Sequence, residues 1–132
     1  MEHFLNNPTE ILLLLFVVIT FFQSGLDKLV DWSGNLSWLK GHFAESPLKN
    51  VVPILLGIIL VTEIISALLC AIGIYQFIAL GESNMAFYGS LLSCVTLLML
   101  LFGQRMAKDY DGARTIVIYF VPVIFLVFLL QA

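Results

Sequence analysis

Residues 50–81 hold a single charge, Glu63, in thirty-two positions, and this stretch limits the fold more than any other feature of the chain. A helix rising about 1.5 Å per residue needs roughly 20 apolar residues to cross a hydrocarbon core of about 30 Å. Residues 83–104 and 115–132 carry no charge at all and read the same way. In lipid every backbone N–H and C=O must be bonded within its own segment or a closed barrel, so uninterrupted apolar stretches of this length are helices. The first candidate span is less plain. Residues 11–22 contain nothing more polar than Thr20, but twelve positions are too few to cross. The span is complete only if Gln23, Ser24, Asp27 and Lys28 belong to it. The expectation is an all-α membrane protein, a four-transmembrane-helix bundle in one membrane domain 1–132, with spans at about 9–31, 50–79, 84–104 and 114–131.

Composition agrees. The chain is 61% hydrophobic and 11% charged, with a mean hydropathy of +1.03, whereas charged residues make up about 25% of soluble domains. No hydrophilic block is long enough for a separate catalytic domain. Six Lys and Arg against nine Asp and Glu leave no basic patch for nucleic acid, so none is expected as a partner. The lipid bilayer is. Residues 1–10 lack Lys and Arg, and no small-residue cleavage site follows the first apolar run; a signal peptide is therefore not expected. Thr9 is the candidate helix cap and Glu10 suits the first turn.

The connection 32–49 has its own pattern. Trp32, Leu36, Leu39 and Phe43 recur at spacings of 4, 3 and 4, one apolar stripe of a short helix between the first two spans. Such a helix lies in the membrane interface with Trp32 and Trp38 at headgroup level, or packs as a structured loop on the bundle end. Four crossings place 32–49 and 104–114 on one side, and both termini on the other. Lys28, Lys40, Lys49, Arg105, Lys108 and Arg114 all fall on the first side. The positive-inside rule makes that side cytoplasmic and both termini periplasmic, with the Asn35-Leu36-Ser37 glycosylation triplet on the wrong side for use. Phe22, Lys28 and Asp31 match Phe102, Lys108 and Asp111 at an offset of eighty. Either a parallel repeat or similar interfacial anchors produce such an echo.

Chemistry is sparse. Haem in a span needs His or Met ligands, and His3 and His42 both fall outside the predicted spans. Cys70 and Cys94 are placed at similar depth, which allows either a thiol pair or two small apolar fillers. No catalytic set, phosphate loop or metal-ligand cluster is present, and catalysis by this chain alone is not expected. What remains is a polar interior. Thr20, Gln23 and Asp27 share one face of the first helix, and Ser24, Lys28 and Asp31 the adjacent one; both are expected to turn inward. Glu63 lies on a stripe with Ile59, Ser66, Ala67 and Cys70, near mid-span, with Thr20, Gln23, Thr96 and Tyr119 as candidate partners. The same depth count puts no cation near Glu63, so it is expected to be neutral, and Lys28 is expected to pair with Asp31 or Asp109. Glu63 then either fixes helix register or lines a cavity for a lipophilic ligand or proton.

A first helix ending "QSGLDKLVDW", a second carrying "LVTEIISALLCAIGIY" and a third ending "FGQRMAKDYDGAR" resemble the DoxX family of small four-helix bacterial membrane proteins. The resemblance covers nearly the whole chain and is most specific at Gly25, Lys28, Glu63 and Gly73. It implies a multi-pass protein of the bacterial inner membrane. It also implies association with redox complexes, since some members are subunits of quinol-reducing or quinol-oxidising enzymes while many have no known activity. Three functions follow from residues and resemblance together. The first is a non-catalytic accessory subunit or partner of a larger membrane complex, quinone-linked or homo-oligomeric. The second is a membrane protein that binds a quinone or other lipid-like molecule, with redox activity and no cofactor of its own, using Gln23, Lys28, Glu63 and Tyr119, with Gln104, Arg105 and Asp109 at the cytoplasmic mouth. The third is a small transporter.

Overall fold

The computed structural model describes residues 5–131. In chain order the helices are α1 (Pro8–Val30), α2 (Trp32–His42), α3 (Val52–Leu80), α4 (Asn84–Met106) and α5 (Tyr110–Gln131), with no strand among the described residues. All but α2 are long and apolar enough to cross a membrane. The chain is a multi-pass membrane protein built as an antiparallel four-helix bundle with a short helix between its first two spans. Neighbours in the bundle are α1 with α3, α3 with α4, and α4 with α5; α1 and α5 meet only briefly, and α3 and α5 not at all. Apolar side chains cover the outside, Phe102, Ile118 and Phe128 among them.

Two boundaries differ from expectation for local reasons. At the start of α1, Pro8 takes the first helical position and Asn7 the cap position, which moves Thr9 into the helix. Proline's fixed φ suits that first position. At α5, Asp109 accepts a 2.9 Å bond from Gly112 N–H, so the helix starts at Tyr110, within the predicted polar connection. The α1–α2 corner is capped by its own side chains. Asp31 ends α1 and begins α2, accepting from Gly34 N–H at 3.2 Å, while the Asn35 amide donates to the Asp31 carbonyl at 2.8 Å and to the Asp27 carbonyl at 3.3 Å. Those carbonyls also accept the backbone N–H groups of Asp31, at 3.1 Å, and Asn35, at 3.0 Å, so the amide adds a second bond to each at the corner.

The α3–α4 pair sets the shape of the bundle. Near their connecting turn the contact is made by small residues: a Cβ on Gly73 would lie 2.6 Å from Ala86 Cα, and one on Gly89 would lie 2.7 Å from Cys70 Sγ. Small residues let helix backbones approach closely in lipid. Cys70, a free buried thiol, serves here as a filler over Gly89. Towards the other end Leu55, Ile59, Leu98 and Met99 replace the small residues, and the two helices diverge around a cavity. The turn itself closes on Gly81, whose φ of 71° is left-handed and whose N–H bonds to the Phe77 carbonyl at 3.1 Å.

The α2 stripe of Trp32, Leu36, Leu39 and Phe43 is half-buried against the bundle, while Trp38, off the stripe, is exposed. The helix runs from α1 across the bundle end until Phe43 sits beside Gly103 of α4. It roofs the gap between α3 and α4. The offset of eighty does not unite equivalent roles: Lys28 points into the bundle, whereas Lys108 sits exposed in the α4–α5 turn with φ 60°.

Candidate functional site

At the centre of the bundle's basic half, Lys28 Nζ lies 2.8 Å from Glu63 Oε1, and Glu63 is 2% exposed. This corrects two expectations. Lys28 pairs with neither Asp31 nor Asp109, and a cation does stand beside Glu63. Depth counted along each axis overlooks side-chain direction. The Cα–Cβ bond of a helical residue tilts toward the helix N-terminus. From near the end of α1, Lys28 therefore reaches back into the membrane, and its Nζ donates to Ser24 Oγ at 2.8 Å on the way. Glu63, about 16 Å along α3 from Val52, tilts back toward the basic end. Two antiparallel helices thus aim these side chains at one another. Gly25, buried one turn before Lys28, brings α1 against Leu60 and Ile64 of α3.

The pair separates two cavities. The first, about 600 Å³, has Lys28 on its wall and is otherwise lined mainly by apolar side chains of α2, α3 and α4, with Asn35 and Gln104 as the polar exceptions. Part of its wall, Ile58, Val95, Leu98 and Phe102, is also exposed on the outer surface, so it opens sideways between α3 and α4 toward lipid. The second, about 370 Å³, lies on the other side of the pair where α1 and α5 are loosely packed. Thr20, Gln23, Ser24, Asp27, Glu63 and Tyr119 line it. The expectation that both polar faces of α1 turn fully inward is corrected here, because Gln23 and Asp27 are exposed along this seam.

Of the candidate residues, Gln23, Glu63 and Tyr119 thus meet around the second cavity, while Lys28 and Gln104 line the first. None of Thr20, Gln23 or Tyr119 hydrogen-bonds to Glu63. Thr96 spends its hydroxyl on the Leu92 carbonyl at 2.8 Å, and the Tyr119 ring packs against Phe16 at 6.3 Å. At the mouth, Gln104 and Asp109 come together around a residue that sequence reasoning did not include. His42 Nε2 lies 3.0 Å from Gln104 Oε1 and 3.4 Å from Asp109 Oδ2, its ring stacked on Trp38 at 4.7 Å. Arg105 is not part of this cluster; it turns outward over the Tyr110 ring at 4.9 Å. The available signal for His42 was its place one position before Phe43, at the end of the stripe that packs on α4. Among the described residues no three His, Cys, Asp or Glu side chains gather in one place.

In chemical terms, a lipid-accessible apolar chamber has one ammonium in its wall. That ammonium is held in place by Ser24 and Glu63, and a His–Gln–Asp cluster ties the roof down beside the chamber. Comparison with protein-family models, curated proteins and solved structures finds no match.

Proposed function

We propose that the protein binds a lipophilic small molecule of the quinone class in the cavity beneath α2, with the molecule's carbonyl head toward Lys28 and its tail leaving between α3 and α4. The observation that carries this is the buried Lys28–Glu63 pair set in the wall of an otherwise apolar cavity of about 600 Å³. Ligand sites are typically apolar chambers of about 300–1,000 Å³ with a few placed polar groups. Lys28 Nζ donates to Ser24 Oγ at 2.8 Å and stands 2.8 Å from Glu63 Oε1 as an ion pair, but reaches the Ser24 carbonyl only at 3.4 Å, so a ligand carbonyl has a weakly used N–H to claim. The resemblance to the DoxX family, some of whose members work with quinols, supports the same ligand class. An accessory role in a larger membrane complex is supported by the Phe-rich outer surface, which lipid tails cover equally well. The cavity favours the ligand, because a purely structural subunit gains nothing from a void beside an ion pair.

Saturable binding of decylubiquinone by the purified protein in nanodiscs, followed by quenching of Trp fluorescence, tests the proposal. Trp38 is on the cavity wall. Filling the chamber with Leu98→Trp or Ile59→Phe should weaken binding at least tenfold while leaving the ion pair untouched. Binding that is unsaturable, or unchanged in both variants, would overturn it.

A further inference from the structure

The second cavity has a different character from the first. Six of its eleven lining residues are polar, against three or four of eighteen in the first. Glu63 lines it and is 2% exposed, yet its only partner among the described residues is Lys28; no hydrogen bond to the carboxylate is formed. An ionised carboxylate accepts at about four lone-pair sites, and a buried one with a single partner is far from satisfied. A polar void with two or more hydrogen-bonding groups holds water, whereas an apolar one stays dry. A space of about 370 Å³ is roomy enough for several waters. The polar lining is also continuous along α1. Asp27 is exposed one turn from the end of the helix, and Ser24, Gln23 and Thr20 lead inward from it over about 10 Å.

We propose that this cavity is a water-filled inlet along the α1–α5 seam, opening on the basic side of the membrane past Asp27 and bringing water and hydrated protons to Glu63. Lys28 faces the apolar chamber while Glu63 is wetted from behind, so the ion pair forms the wall between a lipid-accessible space and an aqueous one. The inlet stands independently of any ligand in the first cavity.

Cysteine accessibility in sided membrane vesicles tests it, in a Cys70→Ala/Cys94→Ala background. The probes are a membrane-impermeant quaternary-ammonium methanethiosulfonate and a neutral lipophilic maleimide. Gln23→Cys and Thr20→Cys should react with the charged reagent at least tenfold faster than Ile118→Cys, which sits next to Tyr119 but is exposed to lipid. They should do so only from the side carrying α2. Met99→Cys, on the first cavity, reports separately whether decylubiquinone protects that chamber, so the two proposals fail independently. Charged-reagent rates at Gln23→Cys and Thr20→Cys no faster than at Ile118→Cys would overturn the inlet. So would reaction with the lipophilic maleimide alone, which would mean that the seam is filled by lipid.

Discussion

At the residue scale the bundle turns on one carboxylate and one ammonium. Moving an ion out of water costs several kcal/mol, and a buried pair returns this only with close geometry and further hydrogen bonds. Lys28 and Glu63 at 2.8 Å, with Ser24 on the ammonium, have the geometry but few supporting bonds. Removing either partner alone leaves an uncompensated buried charge. Lys28→Met and Glu63→Gln should each therefore lower stability by about 3–5 kcal/mol. Gln is no substitute for Glu here, since the neutral amide cannot balance the ammonium. The double variant Lys28→Met/Glu63→Met should recover more than half of the single losses. Reversible unfolding of the four proteins in mixed micelles measures the coupling. Additive losses in the double variant would show that the two side chains do not interact.

At the element scale, the helices and their number were legible in the sequence because lipid leaves a chain of this composition no other choice. The ends were less so. α5 starts at Tyr110 because the Asp109 side chain caps it, a local bond that hydropathy does not register. The Lys28–Glu63 pair escaped depth counting because a side chain's direction matters as much as its position. Two backbone features carry predictions of their own. Lys108 adopts a φ of 60°, and for a residue with a Cβ the left-handed region costs roughly 1–2 kcal/mol. Lys108→Gly should raise stability by about 1 kcal/mol, read as a shift of the unfolding midpoint in detergent. A Cβ at Gly73, in contrast, meets Ala86 backbone at 2.6 Å. Backbone cannot swing aside, so Gly73→Ala should push α3 and α4 apart and cost about 1–3 kcal/mol. Gly41→Ala, with nothing within 4 Å of its added Cβ, should by comparison be neutral or stabilising, since Ala outranks Gly in a helix by up to about 1 kcal/mol.

At the scale of the whole molecule, the basic residues, the α2 roof and both cavities belong to one end of the bundle, and the start of α1 and the end of α5 to the other. Lys40 lies in the last turn of the roof helix and Lys49 beyond it, Arg105 lies in the last turn of α4, Lys108 in the α4–α5 turn, and Arg114 in the first turns of α5. The Arg114–Asp111 contact at 2.9 Å is between two exposed side chains and adds little stability, so these charges are better explained by orientation than by packing. Topology follows the count of Lys and Arg in short connections and largely ignores acidic residues. The basic end is therefore expected to face the cytoplasm, and both ends of the chain the opposite side. The inlet would then take its water from the cytoplasm, and the chamber would draw its ligand from the inner leaflet. Alkaline phosphatase fused after Ala132 should be active, and green fluorescent protein fused there should be dark, because it does not mature when exported through an unfolded state. The same reporters placed at Lys108 should behave in the opposite way. Replacing Lys40, Lys49, Arg105, Lys108 and Arg114 together by Gln, with three Lys added ahead of Pro8, should exchange the two patterns. If the reporters instead keep their sides in that variant, loop charge does not set the orientation of this bundle.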